Sequence, residues 1–156
     1  MTGFYLFVSN KDSENFHPDN RHHDFIVELG RQYDLSDSGY VKSRIRWSVA
    51  LVEIKIEDIK GGELPKLPEE VLLLCDLISP SFIKGTERNI LRSVGITGSG
   101  HLVSTLKPYY IALNRLNFTR LKLHLVDKNL QRLTEKNGWP VNQDWKVTCT
   151  LHFQKI

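Results

Sequence analysis

Two stretches near the C-terminal end alternate apolar and polar residues with a period of two. Leu121, Leu123 and Leu125 share one face, while Arg120, Lys122 and His124 share the other. Val147, Cys149, Leu151 and Phe153 alternate in the same way with Thr148, Thr150, His152 and Gln154. Successive side chains of an extended chain point to opposite sides, so each stretch predicts a strand with one dry and one wet face. A helix would set Leu121 and Lys122 about 100° apart and smear that stripe.

Six further apolar runs predict strands: Phe4–Val8, Asp24–Leu29, Arg46–Ile56, Val71–Ile78, Asn89–Val94 and Tyr109–Leu113. They are rich in Val, Ile, Leu and aromatic residues, and turn formers bound most of them. Arg46–Ile56 and Val71–Ile78 are apolar on both faces, with Val49 and Leu51 against Ala50 and Val52, and Leu72 and Leu74 against Leu73 and Cys75. Such strands need cover on both faces, from a loop of the same chain or from a neighbouring subunit. Long loops are expected over Asn10–His23, Gly30–Ser43, Glu57–Pro68, Gly95–Lys107 and Asp127–Asp144. Helical signal is confined to a short turn over Lys128–Lys136 and a start at Glu69–Glu70 after Pro68.

Eight strands joined by long loops predict an all-β fold, a single jelly roll built as an eight-stranded antiparallel β-sandwich. An immunoglobulin sandwich ranks second, because Cys75 and Cys149 do not bracket Trp47. The 156 residues make one domain, residues 1–156, with ordinary globular composition: 40% hydrophobic and 25% charged. No apolar stretch approaches the roughly 20 residues of a membrane-spanning helix. The first residues carry no basic segment followed by an apolar one, so no secretory signal is expected. A net charge of +3 permits contact with nucleic acid without arguing for it. The densest basic group, Lys42, Arg44 and Arg46, reads as a solvated strand end.

Candidate chemistry is sparse. His22-His23-Asp24 holds metal-ligand types, but adjacent residues on an extended strand diverge, and the expectation is exposed histidines. His124 and His152 lie on the polar faces of the last two predicted strands and are candidate cross-strand neighbours. Gly98-Ser99-Gly100-His101 is not followed by the helix of a nucleophile elbow. Cys149 shares its face with apolar residues and reads as buried. Tyr109 and Tyr110 beside Lys107, and Phe118 between Arg115 and Arg120, could stack bases, although core packing is the stronger expectation. No catalytic, cofactor-binding or metal-binding residue is assigned, and no enzyme activity or cofactor is expected.

Several segments taken in order carry a resemblance. They are Phe4-Tyr5-Leu6, Phe16-His17-Pro18-Asp19-Asn20, Asp24–Leu29, Trp47–Ile54, Leu74–Ile78, Pro108-Tyr109-Tyr110 and Val147-x-Cys149-x-Leu151-His152-Phe153. Their order and spacing resemble the minor capsid (penton) proteins of Polinton/Maverick elements, adintoviruses and related virophages, nearly end to end. The resemblance implies a single jelly roll that forms homopentamers at icosahedral five-fold vertices of a virion. Its implied neighbours are trimers of a double-jelly-roll major capsid protein, with a host receptor as a further partner and little or no direct contact with nucleic acid. The Asp127–Asp144 segment departs from the short hairpin that the family would place there.

Four signature positions are expected to be structural: Phe16, Pro18 and Asn20 at the entry to the second strand, and Trp47 in the core. Pro18 restricts φ and Asn20 tolerates left-handed backbone, which suits a turn. Val49, Leu51, Leu72 and Leu74 are the candidate inter-subunit surface. The competing reading is a carbohydrate- or receptor-binding jelly roll, lectin-like or trimeric ligand-like, with Tyr33, Tyr40, Trp139 and Trp145 in or beside loops. A cupin-like metal enzyme is disfavoured by the lack of His-x-His.

Overall fold

The computed structural model describes residues 3–35, 46–61, 70–83, 85–96, 102–105, 107–133 and 145–156. They form eleven strands: β1 (Gly3–Ser9), β2 (Asp24–Asp34), β3 (Trp47–Asp58), β4 (Glu70–Cys75), β5 (Ser81–Ile83), β6 (Thr86–Arg88), β7 (Ile90–Gly95), β8 (Leu102–Thr105), β9 (Ile111–Ala112), β10 (Asn117–Asp127) and β11 (Trp145–Lys155). One sheet has the order β1-β11-β3-β8, with β9 also paired to β3, and the other has the order β2-β10-β4-β7. β5 and β6 form a separate hairpin. Every pairing is antiparallel.

The pairing is nested. β1 joins β11, β2 joins β10, β3 joins β8 and β9, and β4 joins β7. The chain thus runs as one long antiparallel ribbon. The ribbon folds over so that β11 also meets β3 and β10 also meets β4. The two sheets enclose a single core that includes Leu51, Val147 and Leu151 from one layer and Leu73, Leu121 and Leu123 from the other. The fold is an all-β antiparallel sandwich.

Aromatic rings join the layers at one end. Phe4 stacks on Phe153 at 4.9 Å and on Tyr33 at 5.4 Å, Tyr33 stacks on Phe118 at 5.4 Å, and Phe118 returns to Phe153 at 5.9 Å. Trp47 leans on Phe4 at 5.7 Å. Trp47 is 9% exposed, at the margin of the core, with the Lys155 ammonium over its ring. Phe118 is 3% exposed and Tyr33 is sandwiched, which removes Phe118 from base stacking and Tyr33 from sugar stacking. Trp145, another residue of the sugar-stacking set, is 2% exposed. Tyr40 and Trp139 lie outside the described residues.

All eight expected strands form, with altered ends. β4 stops at Cys75, and the Tyr109–Leu113 run shortens to β9. β2 continues to Asp34, where a loop was expected. It passes an irregularity that lets Phe118 face Tyr33 and Arg120 face Glu28, and Gly30 takes φ 73° there. Glycine adopts that left-handed backbone without steric cost. Glu70 opens β4 rather than a helix. Over 128–133 a turn replaces the expected helical start: the Asp127 carboxylate accepts from the backbone N–H groups of Asn129 and Gln131 at 2.8 Å each, and Leu130 has φ 65°. That Asx geometry competes with helix for the same N–H groups. The rest of 128–136 lies outside the described residues.

The two-faced apolar character of β3 has two physical sources. A bulge lets Thr150 face Glu53 and Leu151 face Leu51, so the inward phase shifts from Val49 and Leu51 to Ile54 and Ile56. On the outer face, Ala50 is covered by the chain itself. His152 pairs with Ala50, and continuing the β3–β9 register by one residue sets Tyr110 on its other side. Tyr110 Oη and His152 Nδ1 hydrogen bond at 2.7 Å across it. The candidate inter-subunit surface is corrected accordingly. Val49 and Leu51 are fully enclosed core residues, Leu72 is 5% exposed beside Val126, and Leu74 alone is half-buried. Residues buried within one chain offer no surface to another.

Trp47→Ala is expected to cost about 3–5 kcal/mol, because it removes a large ring from the end of the core that joins β1 and β3. Urea unfolding monitored by circular dichroism measures it. A loss below about 1 kcal/mol would contradict this placement.

Candidate interaction surface

The segment from Asn10 to His23 runs along the edge of β2 and is held there by side chains that imitate a strand. The Asn20 amide donates to the Ile26 carbonyl at 2.9 Å, and its oxygen accepts from the Ile26 N–H at 2.9 Å. The Ser13 hydroxyl accepts from the Glu28 N–H at 2.8 Å. His17 Nε2 meets the Glu28 carboxylate at 2.7 Å. An Asn side chain carries one acceptor and paired donors, so it completes a backbone ladder that would otherwise be open. Asn10 does the same for β11, donating to the Trp145 carbonyl at 3.1 Å and accepting from the Val147 N–H at 2.8 Å.

These contacts revise the roles expected of the signature residues. Among the described non-glycine residues only Leu130 has positive φ, so Asn20 acts through its amide and not through left-handed backbone. Pro18 is exposed in the turn before it. Phe16 is 74% exposed and packs nothing in the core. Asn10 escaped sequence reasoning altogether. Its only signal is an Asn that directly follows an apolar strand.

Histidines are distributed otherwise than expected. His22 and His23 are 2% and 7% exposed, not solvated. His124 lies on β10 and His152 on β11, so they occupy different sheets and are not cross-strand neighbours. His22 packs 5.2 Å from the His23 ring and 5.5 Å from Trp145. Both ring nitrogens of His23 and Nε2 of His124 are buried without a hydrogen-bond partner. Burial, reinforced by Arg132, holds His23 below the ordinary histidine range. Burial also lowers His124, with Asp24 opposing and Lys122 and Arg132 assisting. Among the described residues no three His, Cys, Asp or Glu side chains converge on a metal-sized site. Burial pushes the thiols of Cys75 and Cys149 up to about 12, which leaves them unreactive packing groups.

The outside of the sandwich carries aromatic side chains at its two lateral edges. On β1, Tyr5 and Phe7 face outward and are 53% and 71% exposed, and Tyr5 packs on His152 at 4.4 Å. Tyr5 and Phe7 stack at 6.3 Å, and Phe16, on the segment that closes the β2 edge, is 74% exposed. At the opposite edge, β7, β9 and the β5–β6 hairpin line an open groove of about 570 Å³. Its lining includes the half-buried Ile83, Ile90 and Ile111 and the side chains of Phe82, Tyr109 and Arg92. Phe82 and Tyr109 are 76% and 66% exposed, and Arg92 donates to the Lys107 carbonyl at 2.6 Å. Exposed apolar groups of this size on a small domain are the ordinary mark of a contact surface.

Asn20→Ala is expected to destabilise the chain by about 1–3 kcal/mol, since it strips both partners from the Ile26 peptide groups. Asn20→Asp retains the acceptor and is expected to lose less. Chemical denaturation of the two variants checks the order, and equal stability of all three proteins would refute the ladder role. Stability is also expected to fall as pH drops below about 6.5, where the unfolded chain protonates its histidines and the folded chain resists. His23→Phe should flatten that dependence. Thermal midpoints from about pH 7.5 to about pH 5 test it, and an unchanged slope in the variant would exclude His23 as the cause.

No known protein-family model and no curated protein matches this chain.

Proposed function

We propose that the chain is a structural capsid protein, a single jelly roll that forms homopentamers at the five-fold vertices of an icosahedral virion. The observation that carries the reading is the nested strand pairing, first with last and inward to β4 with β7. A long antiparallel ribbon folded over itself is how a jelly roll is wound, and it supports that topology over the immunoglobulin alternative. Five of the seven segments that carry the resemblance to Polinton, adintovirus and virophage penton proteins include strand residues of this ribbon, in β1, β2, β3, β4 and β11. Phe4, Trp47 and Phe153 among them meet in the aromatic cluster.

In this reading the partners are other copies of the chain and a double-jelly-roll major capsid protein, with attachment to a host receptor as a further task of the vertex. The burial of Trp145 and the stacking of Tyr33 take support from the lectin-like alternative, whose sugar-stacking set included both. A ring of five uses one surface against a different one, closed by rotation.

The purified chain is expected to run at about five times its 18.0 kDa mass by native mass spectrometry. A stable trimer would overturn the vertex reading in favour of a receptor-binding ligand.

A further inference from the structure

The two lateral edges of the sandwich differ in shape and in charge. Residues 3–20, at the β1–β2 edge, carry Asp12, Glu14 and Asp19 against Lys11, all three carboxylates on exposed residues. Glu14 is already paired with Lys11 at 2.9 Å. This edge presents Phe7 and Phe16, 71% and 74% exposed. Described residues 81–96 and 107–112, around the groove, carry Arg88, Arg92 and Lys107 against Glu87. This edge is concave, and Ile83, Ile90 and Ile111 line the groove together with Phe82 and Tyr109. The groove lining is thus mainly apolar with Arg92 in it and Arg88 and Lys107 on the flanking segments, and the opposite edge of the same chain carries exposed aromatic residues and more carboxylates than cations.

We propose that the groove between β7, β9 and the β5–β6 hairpin receives the β1–β2 edge of a second copy of the chain, with Phe7 and Phe16 against Phe82 and Tyr109 and the carboxylates of 12–19 facing Arg88, Arg92 and Lys107. The inference rests on the homopentamer reading and names the surfaces that would make the ring. The strand order sets the edges apart: β1 and β8 end one sheet, β2 and β7 end the other, and β1 lies nearest β2 across the layers while β3 lies nearest β7. A contact between opposite edges is heterologous, so it propagates from copy to copy until rotation closes it. Complementary charge sets the register and suppresses like-edge contacts, where groove would meet groove. The aromatic groove with basic residues in and beside it has the composition of a platform for single-stranded nucleic acid, but only a second copy also explains the acidic aromatic edge across the molecule.

The test uses two variants of the full chain, Phe7→Asp and Phe82→Asp. Both positions are largely exposed, so both variants should keep the thermal midpoint of the parent. Each is expected to lose assembly alone and run as a single 18.0 kDa chain by native mass spectrometry. Mixed, they are expected to form a one-to-one dimer, because one variant keeps its groove and the other keeps its β1–β2 edge. If the parent is pentameric and both variants remain pentameric, this contact is wrong while the vertex reading stands. If the variants abolish assembly but the parent ring has another size, the contact stands and the pentamer reading falls. A parent that stays monomeric at all concentrations overturns both. If Phe82→Asp removes binding of an oligothymidine probe and leaves the assembled mass unchanged, the groove belongs to nucleic acid and the proposal fails.

Discussion

Four stacked rings hold the two layers of this protein together at one end. Phe4 and Phe153 come from one sheet, and Tyr33 and Phe118 from the other. Each ring belongs to a different strand, and these strands include the first and the last of the chain. The cycle therefore closes only when the ribbon has folded over itself. Offset aromatic contacts add to the burial of their surfaces, and their geometry favours one register of layer on layer. The irregularity in β2 at Gly30 lies beside this cycle and lets Tyr33 and Phe118 meet in register.

A sandwich of this kind leaves four strand edges, and open edges invite pairing with other chains. The chain treats its edges unequally. β2 is closed by the Asn10–His23 segment through Asn20 and Ser13, so hydrogen-bonded strand addition is blocked there and contact must be made by side chains. At the other end of the same sheet, β7 borders a groove. One edge thus presents exposed aromatic side chains and the other borders a groove. That asymmetry is what a closed ring of identical subunits requires, since a self-complementary patch would stop at a dimer.

The buried histidines add a constraint of a different kind. His23 and His124 sit where β2 and β10 meet, with both ring nitrogens of His23 and Nε2 of His124 buried without a hydrogen bond. Their neutral forms are tolerated, and protonated forms would be desolvated charges near Arg132. The β2 edge is therefore least secure in acid, although it is also the edge that the closing segment protects.

Strand positions were legible in the sequence because the cause is local. A period of two in side-chain polarity follows from backbone geometry, and β10 and β11 announce themselves by it. The hairpin β5–β6 and the short β8 were not legible, since three or four residues such as Thr86-Glu87-Arg88 hold too few alternations to form a pattern. Trp47 was correctly assigned to the core, whereas Phe16, apolar and in the same signature, is exposed. Which face of β3 is inward changes at a bulge, and a bulge depends on the partner strand, so Val49 and Leu51 were misread as surface. His124 and His152 have matching local patterns and yet lie in separate layers. By itself, the sequence determined the class of element and the residues that must be dry, because burial preference and alternation are properties of each segment. The tertiary structure alone decided which strands pair, which edges are closed and where the exposed rings gather, because those depend on contacts between residues up to the full length of the chain apart.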